Sequence, residues 1–303
     1  MSVSAVVVTY NAADVIAGCL GDLLDAADEV IVVDNASSDG TPDLIRRDFP
    51  AVRLVEAGAN LGYGAGNNLG VSHASGDIVA IVNPDVRLTR DALAALVAYV
   101  RDRADAGIVG PRTVDDGGQI SMSARPAYTP GRVLAVYLGL ANRWPRLAYG
   151  DMPERLRTAQ APLDVDWLQG SCIVVPRRVY EALGGFDERF FLFAEDVDLC
   201  ERAGQAGWRV VYLPGACVTH GGSSSVKRAH RISTRSYHTS PLHYFRKRGQ
   251  RGAVWLLKAG FVVELAIKAA RRGWQGRRDS AAREEAHIYR QTIRDVIRDS
   301  AAN

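Results

Sequence analysis

Residues 78–85 read Ile-Val-Ala-Ile-Val-Asn-Pro-Asp, an apolar run that stops abruptly at a polar turn. The run predicts a buried strand, and Pro84 ends it because proline has no N–H group for a sheet ladder. The proline does not explain why a carboxylate follows at once. Asp85 is therefore either an ordinary turn residue or a ligand-binding group placed at the end of a strand.

Earlier in the chain, three more apolar runs alternate with segments of helical periodicity. The predicted strands are 3–8, 29–34 and 52–56, and the predicted helices are 13–24, 41–47 and 64–73. Runs without polar alternation indicate strands that are covered on both faces. The repeated strand–helix order predicts an α/β fold, with a mostly parallel, Rossmann-like sheet flanked by helices.

The rest of the chain is less regular. A helix is predicted at 91–101 and a strand at 107–109, whereas residues 115–162 predict long loops with short helices. Order returns at 166–175, followed by helices at 177–183 and 195–206 and a strand at 208–213.

Polar residues follow each of the first four predicted strands. In an open parallel sheet, ligands bind beyond the carboxyl ends of the strands, so these residues predict one site that suits a nucleotide. Gly62, Gly64 and Gly66 do not have the spacing of a dinucleotide-binding fingerprint, and they follow the third strand instead of the first. The residues at the strand ends are Thr9, Tyr10, Asn11, Asp34, Asn60, Gly62, Asn67, Asn83 and Asp85.

An acidic cluster and a histidine in the second half of the chain are further candidates for catalysis or metal binding. Glu195, Asp196 and Asp198 open a predicted helix directly after an apolar run at 190–193. Such surroundings raise the pKa of a carboxyl group and suit a general base. His220 is predicted to head a loop of glycine and serine, residues 221–225, where metal ligation or a phosphate contact is reasonable.

Composition sets the broad class. The 303 residues are 47% hydrophobic and 23% charged, which is ordinary for a globular protein. The four cysteines form no Cys-x-x-Cys pair, and no basic segment with an apolar core precedes the first strand. We therefore expect a cytoplasmic protein with reduced cysteines.

Charge is distributed unevenly along the chain. Residues 227–303 contain 18 Lys and Arg but 6 Asp and Glu, a net +12, whereas the preceding residues carry a net −9. Such a basic region favours an anionic partner, membrane phospholipid or nucleic acid, or is simply a solvated charged helix. Residues 253–270 are too short and too charged for a membrane span, so either an in-plane interfacial helix or a core-packed helix is expected.

In combination, the motifs resemble family 2 glycosyltransferases of the GT-A fold. They are Thr-Tyr-Asn at 9–11, Val-Asp-Asn-Ala-Ser-Ser-Asp-Gly-Thr at 33–41, Asn-Leu-Gly-Tyr-Gly-Ala-Gly-Asn-Asn at 60–68, Asn-Pro-Asp at 83–85, Gly-Gly-Phe-Asp-Glu-Arg-Phe-Phe at 184–191 and Glu-Asp-Val-Asp-Leu-Cys at 195–200. Within that family the chain is similar to bacterial rhamnosyltransferases of cell-wall and O-antigen assembly. The resemblance implies a GT-A domain at 1–225, with a nucleotide-sugar half at 1–112 and an acceptor half at 163–225, before a basic helical region at 226–303.

The resemblance also implies roles for the residues of the site. Tyr10 would stack on the base of a nucleotide-sugar, with Thr9 and Asp34 on its polar edge or ribose. Asp85 matches the second carboxylate of the family's metal-binding Asp-x-Asp motif, whose first position here is Asn83, and His220 would complete the shell of Mg²⁺ or Mn²⁺. Asp196 matches the base of an inverting displacement. The acceptor-side residues are Trp167, Gly170, Glu195 and Arg125.

The partners implied are a dTDP- or UDP-sugar donor and a polyprenyl-diphosphate-linked or glycan acceptor. dTDP-rhamnose is the preferred donor, and a UDP-hexose or UDP-galactofuranose is the alternative. The basic region would contact an anionic membrane, at the inner face of the plasma membrane. No nucleic-acid partner is expected, because no recognition motif is present. A module that binds nucleotide-sugars without catalysis is the alternative from another class.

Overall fold

The computed structural model describes residues 1–221, 230–276 and 279–299, which form two compact units. The sheet unit contains Met1–Ala127, Asp151–Phe191 and the described part of Glu195–Arg228. The helical unit contains Tyr128–Gly150, Leu192–Ala194 and the described part of Ala229–Asn303. Residues 222–225 of the predicted glycine–serine loop, and the predicted boundary at 225, lie outside the described residues.

The secondary structure alternates between strands and helices in the first third of the chain. The strands are β1 (Val3–Thr9), β2 (Glu29–Asp34), β3 (Arg53–Glu56), β4 (Ile78–Val82), β5 (Val86–Leu88), β6 (Ala106–Val114), β7 (Ala124–Arg125), β8 (Leu163–Asp164), β9 (Trp167–Leu168), β10 (Cys172–Pro176) and β11 (Arg209–His220). The helices are α1 (Ile16–Ala26), α2 (Thr41–Asp48), α3 (Tyr63–Ser72), α4 (Arg90–Asp102), α5 (Pro130–Tyr137), α6 (Leu140–Arg143), α7 (Pro145–Tyr149), α8 (Met152–Thr158), α9 (Arg177–Ala182), α10 (Glu195–Gln205), α11 (His230–Lys247), α12 (Arg251–Gln275) and α13 (Ser280–Arg298).

The main sheet has the strand order β3-β2-β1-β4-β10-β6-β11-β5, with β8 beside β11. Strands β3, β2, β1 and β4 are parallel, as are β6 and β11. Strand β10 runs antiparallel to both β4 and β6, and β5 and β8 run antiparallel to β11. The predicted parallel sheet is thus parallel across β3 to β4 and mixed beyond it. Direction was not readable from the sequence, because a buried strand has the same apolar pattern in either direction.

Helices cover both faces of this sheet. Ala5 and Val7 of β1 pack in one apolar layer with Ile16 and Leu20 of α1. Val6, which points to the opposite face, packs in the second layer with helix α3. Burial on both faces explains why the strand sequences lack polar alternation.

Helix α3 contains Gly66 of the glycine-rich segment and also Gly70, and the structure gives both a packing role. A Cβ on Gly66 would lie 2.9 Å from Cγ1 of Val8, and a Cβ on Gly70 would overlap Val6. The glycines therefore let α3 lie close against β1.

Strand β11 is longer than predicted. Its register with β6 is irregular between Leu213 and Cys217, and it then continues to His220. Pro214 and Gly215 indicated a turn in the sequence, which hid the second half of the strand. His220 is the last residue of the strand, and all but Gly221 of the loop predicted after it lies outside the described residues.

In the helical unit, the buried side of α12 contains both apolar residues and a charged one. Leu257, Phe261 and Leu265 are fully buried. Glu264 is buried among them, with its Oε2 3.1 Å from Nε2 of His238, and it also pairs with Lys268. Within the described ranges, no helix is long and apolar enough to cross a membrane.

The four cysteines are all described and all free. Cys19, Cys172 and Cys200 are buried, and Cys217 on β11 is exposed. Burial raises the pKa of Cys172 and of Cys200 to about 12, and raises that of Cys19 further.

Candidate active site

The predicted polar edge begins where β1 and β2 end side by side. Thr9 and Asp34 face each other in the parallel register, and both are buried. Oδ2 of Asp34 accepts a hydrogen bond from the backbone N–H of Ser37 at 3.0 Å. Thr9 Oγ1 and Asp34 Oδ1 have no hydrogen-bond partner in the part of the chain that the structure describes. A buried polar atom left unpaired is costly, so both atoms are suited to a ligand.

The loop after β2 is held in place by side chains. Asn11, at φ 52°, accepts a hydrogen bond from Ser38 N through Oδ1 at 2.7 Å and donates its own N–H to Ser37 Oγ at 2.8 Å. Asp39 accepts from Ala13 N at 3.0 Å and from both the N–H and the hydroxyl of Thr41. Asn11, which follows Tyr10, thus holds the loop that comes after Asp34, which is a structural role beside its predicted donor-binding one.

Asn60 and Gly62 form a backbone turn before α3. Oδ1 of Asn60 accepts from Gly62 N at 3.1 Å, and the Gly62 carbonyl accepts from the side chain of Asn35 at 3.0 Å. Gly62 has φ 86°, and a Cβ there would overlap the carbonyl oxygen of Phe191. The structure therefore explains this glycine by close packing.

Two amide side chains also present unpaired oxygens. Asn67 is buried and donates to the Tyr63 carbonyl at 2.9 Å, and the N–H of Asn83 donates to Ser171 O at 2.8 Å. Neither Asn67 Oδ1 nor Asn83 Oδ1 has a partner among the described residues. With Thr9 and Asp34 at the strand ends and Asn67 in α3, four residues thus offer buried oxygens that nothing described satisfies.

Asp85 and His220 are brought together by the sheet. Strand β5, which begins one residue after Asp85, pairs with β11 so that Val86 lies opposite His220. Nε2 of His220 is 3.1 Å from Oδ1 of Asp85, and both side chains are largely buried. The two residues are 135 positions apart in sequence, so only the fold makes them neighbours.

This pair is compatible with a divalent cation. Two adjacent ligands of an octahedral ion at about 2.1 Å would be about 3.0 Å apart, close to the observed separation. Among the residues that the structure describes, no cluster of three His, Cys, Asp or Glu side chains could hold a metal. Two protein ligands leave room for oxygen atoms of a bound diphosphate to complete the shell.

At the start of α10, the side chain of Asp196 accepts hydrogen bonds from two backbone N–H groups. Its Oδ2 accepts from Gly170 N at 3.0 Å, and its Oδ1 accepts from Val197 N at 2.8 Å. Glu195, one residue earlier, is buried, and its Oε2 finds no partner among the described residues. The two adjacent carboxyl groups therefore have different surroundings.

Burial raises the pKa of both groups, as the apolar run before them predicts. The pKa of Glu195 lies well above its usual range, because burial and the charge of Asp196 both disfavour its ionised form. Burial also raises the pKa of Asp196, but the two backbone N–H groups and the nearby charge of Arg125 oppose the shift. Asp196 is thus the group that ionises first.

Arg125 and Trp167 are cross-strand neighbours. They lie opposite each other in the β7–β9 pair, with the guanidinium carbon 5.4 Å from the centroid of the indole. The indole N–H donates to the carbonyl of Pro126 at 3.0 Å. Through Gly170, two residues beyond β9, this pair connects to Asp196.

Asp198, the third acid of the helix, is structural. It is fully buried and accepts a hydrogen bond from Nε of Arg202 at 2.7 Å. Arg202 also donates to the carbonyls of Leu183 and Gly185. The sequence pattern alone grouped Asp198 with the other two acids and did not reveal this ion pair.

Tyr63 was not singled out in the sequence, yet it links several parts of the site. Its hydroxyl donates to Gly170 O at 2.5 Å, and its backbone N–H donates to Phe191 O at 2.8 Å. An aromatic residue amid four small or glycine residues, Gly62 to Gly66, was the available signal. Tyr63 supports Gly170, and Gly170 in turn supports Asp196.

Fold and site together define a GT-A glycosyltransferase, and the chain belongs to glycosyl transferase family 2. The model of that family matches residues 4–183, more than half of the chain. The predicted family and fold class are confirmed, and the protein is a glycosyltransferase.

Particular relatives refine this assignment. An N-acetylglucosaminyl-diphospho-decaprenol L-rhamnosyltransferase of Mycobacterium tuberculosis is 38% identical over 228 residues, which cover 70% of this chain and 72% of that protein. The rhamnosyltransferase WbbL of Escherichia coli K12 is 26% identical, covering 71% and 81%. Among solved structures, the mannosyltransferase PcManGT of Pyrobaculum calidifontis, in complex with GDP-Man and Mn²⁺, aligns with a TM-score of 0.57 at 22% identity, covering 99% of this chain and 88% of that one.

Proposed function

We propose that the protein is an inverting, metal-dependent transferase that moves L-rhamnose from dTDP-rhamnose to a polyprenyl-diphosphate-linked or glycan acceptor in bacterial cell-envelope synthesis. The observation that carries the metal-dependent part is the Asp85–His220 pair at the sheet edge. The names of the mycobacterial and Escherichia coli relatives support rhamnose, and the first of these names also supports a lipid-linked acceptor.

The donor is proposed to bind across the ends of β1, β2 and β4. The unpaired oxygens of Thr9, Asp34, Asn67 and Asn83 would accept hydrogen bonds from its base and ribose. Tyr10, Asn11, Asn60 and Gly62 form the surrounding loops. Asp85 and His220 would hold Mg²⁺ or Mn²⁺, which when bound would neutralise the negative charge on the diphosphate leaving group.

On the acceptor side, Asp196 is proposed as the general base. The acceptor hydroxyl oxygen forms a bond to the anomeric carbon as the bond from that carbon to the diphosphate oxygen breaks. The hydroxyl proton passes to Asp196, whose raised pKa makes it a better proton acceptor than an ordinary aspartate. Because this is a single displacement, the configuration at the anomeric carbon inverts. Trp167, Arg125, Gly170 and Glu195 would line the acceptor side.

A donor panel tests this function. Purified protein is incubated with a polyprenyl-diphosphate-linked acceptor and dTDP-rhamnose, a UDP-hexose or UDP-galactofuranose, with Mg²⁺, Mn²⁺ or EDTA. Transfer from dTDP-rhamnose that EDTA abolishes is the expected result. Transfer from a UDP-sugar alone would replace the proposed donor, and donor binding without transfer or hydrolysis would favour a non-catalytic binding module.

The metal site has a test of its own. Asp85→Asn removes the charged oxygen ligand and is expected to abolish the extra thermal stabilisation that donor and metal give together. Asp22→Asn is the matched control, because Asp22 also pairs with a residue of β5, Arg87, at 2.7 Å. If Asp85→Asn keeps the metal-dependent stabilisation, or if Asp22→Asn loses it equally, Asp85 is not the metal ligand.

A further inference from the structure

Helix α12 exposes a row of large apolar side chains. Trp255 and Trp274 are 74% and 71% exposed, and Leu256, Val263 and Ile267 are each more than half exposed. We call these five residues the outer stripe. Isolated apolar residues on a surface need no explanation, but a continuous row of them marks an interaction site.

The outer stripe is narrow, long and free of charge. At about 100° per residue, its members fall within an arc of about 120°, and the other residues in that arc are alanine or glycine. From Trp255 to Trp274 the stripe rises about 28 Å. The opposite side of α12 is occupied, because Leu257, Phe261 and Leu265 are buried within the helical unit. The outer stripe is therefore not used in the packing of α12 within the helical unit.

Basic residues border the stripe on both sides. Arg251 and Lys258 flank one edge of the arc, and Arg271 flanks the other. Residues 227–303 carry a net charge of +12 in all. A second copy of the chain would bring the same positive charge against this surface, which disfavours a homodimer through α12. An anionic surface with an apolar interior complements both features.

The tryptophans support the same occupant. Trp is enriched at membrane–water interfaces, where the ring sits at the level of the headgroups. The outer stripe begins and ends with a tryptophan, as expected of a helix that lies parallel to a membrane. Interfacial helices of this kind combine an apolar face with Lys and Arg beside it.

We propose that α12 lies in the plane of an anionic lipid bilayer, with the outer stripe inserted at the boundary between headgroups and acyl chains. The basic residues at its borders then contact the phosphate groups of the lipids. This inference rests on the proposed function in one respect: a lipid-linked acceptor lies in the membrane, so membrane binding would place the protein next to it. The binding test uses neither donor nor acceptor, so the two proposals can fail separately.

Flotation of the full chain with lipid vesicles tests the proposal. Vesicles contain phosphatidylcholine alone or phosphatidylcholine mixed with phosphatidylglycerol. The wild type is expected to float with the mixed vesicles and to be released by high salt. The Trp255→Ser/Trp274→Ser variant is expected to partition at least about tenfold more weakly, since two interfacial rings are removed.

Two further variants keep the test decisive. Trp144→Ser removes a tryptophan that is 55% exposed outside α12, and it is expected to leave flotation unchanged. Val263→Glu places a charge in the middle of the stripe and is expected to weaken flotation as the double variant does. Unchanged melting temperatures establish that all variants are folded.

Three outcomes would overturn the proposal. The first is flotation that is equal for the wild type and the folded stripe variants. The second is an equal loss of flotation in Trp144→Ser. The third is a wild type that does not float but sediments as a dimer which the stripe variants dissociate, because the stripe would then bind a second copy.

Discussion

Asp196 and Glu195 are adjacent in sequence but are supported differently by the fold. Two backbone N–H groups, from Gly170 and Val197, point at the oxygens of Asp196. Glu195 is buried, and one of its oxygens has no partner in the described part of the protein. Hydrogen bonds to a carboxylate favour its ionised form, so Asp196 is expected to lose its proton more readily than Glu195.

Replacing Asp196 by Asn removes the proposed base with little change of shape. Loss of general-base catalysis costs about 10²–10⁴-fold in rate, so transfer should fall by that factor while donor affinity is kept. Rate and donor binding are measured on the same preparation. Retained turnover would rule out Asp196 as the base.

Asp198→Asn is the control from the same helix. It weakens the buried ion pair with Arg202 and should lower the free energy of unfolding by about 2–3 kcal/mol. Turnover per folded molecule should stay near the wild-type value. A large loss of turnover in this variant would mean that the helix, and not Asp196, determines the rate.

The raised pKa of Asp196 predicts the pH dependence of transfer. The base must be ionised, so kcat/KM should rise with pH through a pKa above that of an ordinary aspartate. The contribution of Asp196 to the free energy of unfolding has the opposite pH dependence, because the folded state binds this proton more tightly than the unfolded state. The contribution is fully present below the ordinary pKa of aspartate and is lost as pH rises through the folded pKa. The measurement is a pH profile of kcat/KM, and an acid limb at or below the ordinary pKa of aspartate would contradict the prediction.

At the level of elements, the donor side was the more predictable half of the site. Parallel strands deliver their carboxyl ends to one edge, so Thr9, Asp34 and Asn83 could be grouped from the strand pattern alone. The predicted strands at 29–34 and 78–82 match β2 and β4 residue for residue. Local periodicity is sufficient to predict a strand and the residues at its end where both the strand and the connection to the next element are short.

The metal pair and the acceptor side depended on contacts that are distant in sequence. The pairing of Asp85 with His220 needs the second half of β11, which the turn-like Pro214-Gly215 concealed. The hydrogen bond from Gly170 N to Asp196 requires the segment after β9 to lie against the start of α10, and no local sequence pattern predicts that contact. The local pattern marked His220 and Asp196 only as candidates for ligation and proton transfer, and their specific roles came from the family resemblance.

The turn before α3 allows a test at the scale of one element. Gly62→Ala places a Cβ against the Phe191 carbonyl at a positive φ. Gly58→Ala, at φ 72°, also requires a positive φ but meets no heavy atom within 4 Å among the described residues. Gly58→Ala should cost about 1–2 kcal/mol of unfolding free energy, and Gly62→Ala clearly more. Equal losses in chemical denaturation would mean that the contact with Phe191 is unimportant.

At the scale of the whole molecule, the chain separates its charges. The acidic residues dominate before residue 227, and the basic ones dominate after it. Net charge of either sign repels itself within a compact region. Within the helical unit this repulsion is partly offset where Glu264 lies between His238 and Lys268.

Glu264 therefore makes the helical unit sensitive to acid. Burial alone would raise the pKa of Glu264, but hydrogen bonds from His238 and Lys268 leave it below its usual value. A lowered pKa contributes stability above the ordinary value, and this contribution is lost as pH falls through the folded pKa. Wild-type melting temperature should thus drop as pH falls below the ordinary pKa of glutamate, and Glu264→Gln should be less stable at neutral pH with a shallower drop over that acid range. A wild-type profile parallel to that of Glu264→Gln would contradict this role.

The burial of three of the four cysteines has a practical consequence for chemical labelling. A maleimide reacts with the thiolate, and burial keeps Cys19, Cys172 and Cys200 protonated and out of reach. Cys217 is exposed on β11, three residues before His220. The native chain therefore carries a single accessible attachment point for a fluorophore or spin label beside its candidate metal ligand, without any cysteine having to be removed.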